Sequence, residues 1–577
     1  MTTHDDYATE PEPTAAAVAL QRTAVLDPLH VGDIQGAMGT IALGDTAPRT
    51  TWRAKMITLL AILGPGLIVM VGDNDAGAFG TYTQAGQNFG TKLLWTLLLL
   101  IPVLYVNQEM VVRLGAVTGV GHARLILERF GKFWGAFSVI DLFALNALTI
   151  VTEFIGVSLA CSYLGLPKIP TVIVAAVLVV AAASTGNFRR FERLCLILVV
   201  FSFLLIPIVI MVHPPVGQLA HDFVVPDFPG GTSDLSTVML LIIAIVGTTV
   251  APWQLFFQQS YVVDKRITTR FMRYEKTDLW LGIVIVIVGA AAMMAFSAAT
   301  FAGHPGFGNF TDAGGTAAGL GKYVSHTAGI LFAIALFDAS VIGAAAVGLA
   351  TSYATADVLS LNHSLHRPIT KAKGFYVVYA GLMGAATALV LIPGVPLGTL
   401  TSGVQTLAGV LLPSATVFLL LLCNDKAVLG PWVNGRKTNV FTSIVIWVLV
   451  LLSVILTASV LFPSIGASAI LAILGGGVAL GAGIGGYLLA SRRRQARRHR
   501  PASGTLPDTG TGTSNGTDAA TAAPGAGRST WRMPPLTELP APVLSVQRKV
   551  GLIVLRGYLL VAVALVVVKV VEVSLGH

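Results

Sequence analysis

The stretch GPGLIVMVGDNDAGAFGTYTQAG, residues 64–86, is apolar enough to enter a bilayer, yet it carries Gly72, Asp73, Asn74 and Asp75 at its centre. A carboxylate within the hydrocarbon costs at least a few kcal/mol, so intramembrane acids mark functional sites by default. Residues 57–71 upstream are too few to cross a bilayer, which takes about 20 mainly apolar residues. The GDND run therefore reads as a break inside one span, not as a turn between two spans. Asp75, Asp73 and Asn74 are candidates to contact a cation or its water there. Asp73 and Asn74 carry a second reading as caps of a half-helix, because both residue types readily satisfy free N–H groups.

Working outward, the chain has 577 residues, of which 54% are hydrophobic and 11% charged. Its mean hydropathy is +0.77. Soluble domains carry roughly 25% charged residues, so this chain reads as one polytopic membrane domain over residues 51–490. Cys161, Cys195 and Cys423 lie singly in apolar segments, which excludes a paired disulfide or zinc frame. No Ser/His/Asp set, histidine cluster or nucleotide loop has a recognisable spacing, so the chain is not read as an enzyme and no cofactor is expected. Gly475, Gly476 and Gly477 follow no strand and suit close helix packing instead.

Apolar segments begin near residues 57, 91, 133, 169, 194, 236, 278, 323, 374, 397, 440, 466 and 548, giving about thirteen helical spans, twelve in the core and one appended. Residues 1–50 lack a basic start and an apolar run and read as a disordered tail. Residues 491–547 read as a basic, then Gly/Thr/Pro-rich, linker before a last helix over residues 548–577. Basic residues concentrate in alternate loops: Arg53, Arg124, Arg190, Lys265, Arg367 and Lys437 with their neighbours. The loops between them carry almost none, so the N-terminus is expected in the cytoplasm of a bacterial-type cell. The net charge of +9 is densest at Arg492 to Arg500, directly after an apolar span, which favours an anionic lipid surface over nucleic acid.

A second break falls at residues 247–253, GTTVAPW. Pro252 removes an N–H and frees a carbonyl in the preceding turn, so oxygens near Val250 and Ala251 can face a cavity. Thr249 and Trp253 flank this break as pathway candidates. Two broken helices at corresponding places of two halves, spans one to five and six to ten, point to a transport site between inverted repeats.

These residues together resemble the natural resistance-associated macrophage protein (Nramp) family of metal transporters. The likeness rests on residues 64–86, on Thr152 to Gly156, on GTTVAPWQLFFQQS at 247–260 and on the run from Gln405 to Pro413. The resemblance implies an all-α membrane fold of LeuT type with broken first and sixth helices, and alternating access to a divalent metal. It places Asp75 and Gln405 among the metal ligands. Unaligned, Gln405 would read as a helix-packing amide.

The departures from the family pattern are as informative. The family's metal-binding Asn is Ala78 here, and its sixth-span Met, a soft thioether ligand, is Ala251. Hard ions such as Mg²⁺ prefer oxygen ligands and keep their water, so the pattern resembles the Nramp-related magnesium transporter branch. Two sixth-span histidines are replaced by Trp253 and Gln258, and the Asp three residues before Glu153 is Ile150. With few groups titrating near neutrality, the resemblance implies uniport of Mg²⁺ or Mn²⁺, driven for a divalent ion by about 4.6 kcal/mol per 100 mV of potential. Glu153 remains as a possible proton acceptor. Asp338 has two readings, pathway lining or a bond to Ser and Thr hydroxyls within the bundle. Glu109 and Arg113 have the spacing of a structural helical pair. Two rival functions stay open: a proton-coupled Mn²⁺ or Fe²⁺ symporter, and a metal-binding scaffold or sensor that moves nothing.

Overall fold

The computed structural model describes residues 24–229, 235–461 except 395, 465–498, 528, 531–540, 542 and scattered positions from 551 to 557. The first span comes from two half-helices, α2 (Pro65–Val71) and α3 (Ala76–Phe89), behind a separate helix α1 (Trp52–Ile62). Next come α4 (Trp95–Thr118), a short α5 (His122–Phe130), α6 (Lys132–Tyr163), α7 (Lys168–Ala183), α8 (Phe188–Phe201) continued by α9 (Leu205–Val212), and α10 (Val216–Val224). The second half repeats the plan. It holds α11 (Leu235–Thr249) and α12 (Pro252–Asp264), α13 (Met272–Phe301), α14 (Ala313–Tyr323), α15 (His326–Leu359), α16 (Lys373–Val390) and α17 (Leu397–Cys423). A single turn α18 (Lys426–Leu429) leads to α19 (Arg436–Leu461) and α20 (Ala467–Arg498).

The contacts reveal the internal symmetry. The broken helix of the first half lies along α13, the second span of the other half, while α12 of the second broken helix lies along α4. The third spans, α6 and α15, pack on each other. This exchange gives ten core spans as two inverted five-helix repeats of LeuT type. Close approach needs small residues, because helices in lipid gain mainly by van der Waals packing. A side chain at Gly247 would begin 2.3 Å from the Gln405 carbonyl oxygen, so α11 and α17 touch backbone to backbone.

Among the described residues ten helices are long and apolar enough to cross a membrane, and α7 is a shorter apolar helix. The sixth span is 83% buried and the α8–α9 span 22%, so the broken helix forms the core and the latter faces lipid. Exposed apolar side chains such as Val177, Ile206 and Val284 form the outer belt.

Three expectations need correction. The first span begins at Pro65, not near Ile57, because α1 bends away from α2 by 52° at Leu63 and Gly64 and is itself largely exposed. Residues 24–50 are not a disordered tail: they form a 3₁₀ turn (Pro28–His30) and a hairpin of β1 (Ile34–Gly36) and β2 (Gly39–Ile41). This arm is bound by charged loops, with Arg367 donating to both Asp27 carboxylate oxygens at 2.8 Å and Arg266 donating to the Leu29 carbonyl. Within the linker, residues 531–540 are docked: the Trp531 ring lies against Gly430, and Arg129 donates to the Pro540 carbonyl.

The basic loops do gather on one face, the N-terminal face, where Arg113 meets Asn434, Arg129 meets Asp425 and Arg193 meets the arm. The expected last span over 548–577 lies almost entirely outside the described residues. So do the side chains of the basic run from Arg492, where α20 ends.

Candidate functional site

Each break forms for a local reason. After α2 the chain turns through Gly72 to Asn74, and α3 restarts with Asp75 as its N-cap, the Asp75 carboxylate accepting the Ala78 N–H at 2.9 Å. Asp is among the best N-cap residues because its oxygen satisfies an orphan N–H of the first turn. A second N–H of that turn, from Ala76, is donated to Glu153 on α6 at 3.1 Å. Two carboxylates thus sit at the positive end of one half-helix, where its dipole favours them. In the sixth span, α12 starts at Pro252 with Ala251 extended before it and no side-chain cap. Proline suits this first position since its missing N–H needs no partner there.

The two breaks are held together. Tyr82 of α3 and Thr249 of α11 share a hydrogen bond of 2.6 Å. Gln405 of α17 completes the triangle: a side chain at Gly77 would begin 1.6 Å from the Gln405 amide nitrogen and 3.2 Å from an Asp75 carboxylate oxygen. Gly77 is therefore the gap into which Gln405 reaches toward Asp75. Gly343 of α15 makes the matching gap behind, since its side chain would begin 2.7 Å from a Glu153 oxygen and 2.9 Å from the Asp75 Cβ. The Asp75 and Glu153 carboxyl groups contact each other there.

The polar atoms left over define what the site can hold. Both Asp73 oxygens, Glu153 Oε1, the Gln405 amide nitrogen and Thr248 Oγ1 are buried without a hydrogen-bond partner. The Gln254 amide faces Asp73, but it is spent on the Thr249 carbonyl at 3.5 Å and on Gln108 at 3.0 Å. Asp73, Asp75 and Glu153 lie close to one another, and among the described residues no Lys, Arg or His forms an ion pair with any of them. Buried carboxylates without a cation cost several kcal/mol each, so this arrangement is suited to a cationic cargo. No three His, Cys, Asp or Glu groups converge closely enough to chelate a bare ion among the described residues. A cargo that keeps part of its water shell fits two carboxylates and an amide.

Asp73, Asp75, Glu153, Thr249 and Gln405 are thus gathered at the breaks, with Ala78 as an N–H donor and no ligand side chain. Other expected residues fall elsewhere or serve differently. The capping role belongs to Asp75, not to Asp73 or Asn74. Asn74 turns away and donates to the Val286 carbonyl on α13 at 3.2 Å. The Ala251 carbonyl is not wholly free, because it accepts the Gln254 N–H at 3.2 Å. Proline at 252 instead deprives the Thr248 carbonyl of its helical donor. Trp253 is fully buried with its ring toward Gly72, its indole N–H unpartnered. Asp338 is buried on α15, one oxygen unpartnered, and no hydrogen bond ties it to Asp75 or Glu153 among the described residues. Sequence reasoning missed Tyr82, Gln108, Gln254 and Thr248, whose only signal was polarity inside apolar helices.

A buried acidic pocket between two interrupted helices of inverted repeats defines a membrane carrier of LeuT type. Residues 66–459 match the family described as "Natural resistance-associated macrophage protein-like". A manganese transporter of Eremococcus coleocola, solved with an aromatic bis-isothiourea substituted compound, is similar over 80% of this chain and 98% of its own. The identity is 19% and the TM-score 0.59. A mutant of the same transporter gives 20% identity and a TM-score of 0.58 over the same shares. The chain belongs to the Nramp family of divalent metal transporters, and it is an integral membrane protein.

Proposed function

We propose that the chain carries hydrated Mg²⁺, and Mn²⁺ with less selectivity, by alternating access and without proton coupling. Asp75 and Gln405 contact the ion or its water, Asp73 and Glu153 supply further negative charge, and the second lone pair of the Ala251 carbonyl faces it from the other break. The face bearing residues 24–50 is cytoplasmic, in line with the gathered basic loops. One observation carries the reading: the buried carboxylates of Asp73, Asp75 and Glu153 lie at the breaks with the Gln405 amide, and Ala251 stands where the family has its thioether Met. A hard, water-retaining cation suits that set. Mn²⁺ is kept as a cargo because the similar solved structures are of a manganese transporter.

The test is flux in proteoliposomes with Mg²⁺ and Mn²⁺ in parallel and a pH dye inside. Uptake of either ion without internal acidification, abolished by Asp75→Asn, supports the reading. Absence of flux for both ions, or unaltered flux in the variant, sinks it. A second reading, proton-coupled Mn²⁺ or Fe²⁺ symport, is favoured by the contact of the Asp75 and Glu153 carboxyl groups, a pair able to hold one proton between them. Internal acidification during uptake selects it. Metal binding without any flux selects a scaffold or sensor.

A further inference from the structure

A second buried acidic cluster lies toward the N-terminal face, at the other ends of the same half-helices. Glu192 of α8 and Glu275 and Asp278 of α13 are all fully buried, and so is Lys265 just past α12. Lys265 is largely committed elsewhere: it pairs with Glu192 at 2.6 Å and donates to the Ile62 and Leu63 carbonyls. Asp278 accepts the N–H groups of Gly64 and Gly66 at 3.1 and 2.7 Å through one oxygen, which anchors the start of α2. Among the described residues its other oxygen has no hydrogen-bond partner of good geometry, and neither oxygen of Glu275 has one. Three carboxyl groups thus share one ammonium inside the protein, so full ionisation of the cluster requires a further cation.

An independent feature points to a ligand here. Gln258 of α12 is fully buried with its amide beside the Glu275 carboxyl group, and among the described residues neither its amide oxygen nor its amide nitrogen makes a hydrogen bond of good geometry. The Tyr261 hydroxyl, one turn further on, is equally buried and unpartnered and lies within the field of Glu192 and Asp278. Native structures rarely leave such groups unsatisfied, because a buried donor or acceptor without a partner keeps its full desolvation cost. The cluster does not belong to the Asp75 site, because α2 separates them by seven residues, roughly 10 Å of helix. Hairpin residue Ala37 closes it from the outside, its N–H donated to Glu192 at 2.5 Å and its carbonyl accepting from Arg193.

We infer that Glu275, Asp278, Gln258 and Tyr261 form a second site for a hydrated divalent cation, through which the cargo passes between Asp75 and the N-terminal face. Two carboxylates, an amide oxygen and a phenol oxygen are hard ligands that leave room for retained water, and the ion supplies the further cation. The inference rests on the metal-carrying reading above and adds a stopping point to its route.

Counting Mn²⁺ bound to the purified full chain, by equilibrium dialysis or electron paramagnetic resonance, tests it. Two ions per chain are expected for the native protein, one for Asp75→Asn, one for Glu275→Gln and none for the double variant. Gln258→Ala, a milder change, is expected to weaken one of the two sites at least tenfold and leave the other unchanged. It also stands in should Glu275→Gln fail to fold. One ion in the native protein, or an unchanged count in Glu275→Gln and unchanged affinities in Gln258→Ala, overturns the second site and assigns protons to these carboxylates. Undiminished flux in Asp75→Asn would instead overturn the central site, so the two failures are distinct.

Discussion

The two broken helices solve the same problem with opposite means. In the first span the break is made and held by charge, with Asp75 capping Ala78 and Glu153 capping Ala76 at the start of α3. In the sixth span it is made by the backbone, with Pro252 opening α12, no side-chain cap, and neutral side chains, Tyr82, Gln108 and Gln254, making the hydrogen bonds around it. The proposed function therefore draws affinity from the first repeat and shape and selectivity from the second. A carboxylate gives strong attraction with little discrimination, whereas a rigid wall decides how much of the ion's water is kept.

This division can be broken most severely at Asp75. Asp75→Asn keeps the cap but removes the charge, and flux in proteoliposomes is expected to fall by about a hundredfold, or about 2.7 kcal/mol. Flux within threefold of the native rate would move the affinity away from the first repeat. Gly343→Ala presses on both carboxylates from behind, since the added methyl meets Glu153 and Asp75 below 3 Å. About a tenfold rise in KM is expected, with protein yield and thermal stability changed far less. Ala251→Met restores a soft ligand on the second repeat. Competition assays should show Cd²⁺ and Mn²⁺ gaining severalfold on Mg²⁺, and an unchanged order of preference would deny this repeat its selective role. Tyr82→Phe removes the bond that joins the two breaks, worth about 1 kcal/mol net, and should alter flux no more than about fivefold.

The smallest effect lies outside the spans, where the loop after α15 holds the N-terminal arm. Burial pulls the His363 pKa down, but the Asp357 carboxylate at 2.9 Å outweighs it and raises the value to about 9 from the usual 6.5. A raised folded-state value means that the stabilisation is complete below about pH 6.5 and is lost as pH climbs through 9. Thermal unfolding should therefore occur a few degrees lower at pH 10 than at pH 7, a difference that His363→Gln removes. A flat profile in the native protein would show that the charged pair contributes nothing.

Much of the fold was legible because its causes are local. Apolar runs of span length, a Gly-Asp-Asn-Asp run inside one of them and a proline inside another fix the helices and their interruptions by composition alone, as α3 and α12 show. The family motifs pointed to Asp75 and Gln405, which the fold brings side by side at Gly77. The arm was misread because residues 24–50 have the composition of a tail, and their order comes from distant partners: Arg367, Arg266 and Glu192. Helix α1 was merged with the first span because hydropathy does not register the bend at Gly64, which Asp278 fixes from α13.

By itself, then, the sequence determined that charge is buried in the membrane and where the helices are interrupted, since both follow from the cost of taking polar groups out of water. Only the tertiary structure decided which lone pairs are consumed in holding the fold and which are left for a cargo. Asp75 became a cap, Asn74 a strut against Val286 and the Ala251 carbonyl a partly used acceptor, while Asp73, Thr248 and Gln258 kept unsatisfied atoms. The physical reason is that a local bond such as that of Asp75 to Ala78 competes with partners from distant helices, as Val286 for Asn74 shows, and local pattern carries no information about which wins.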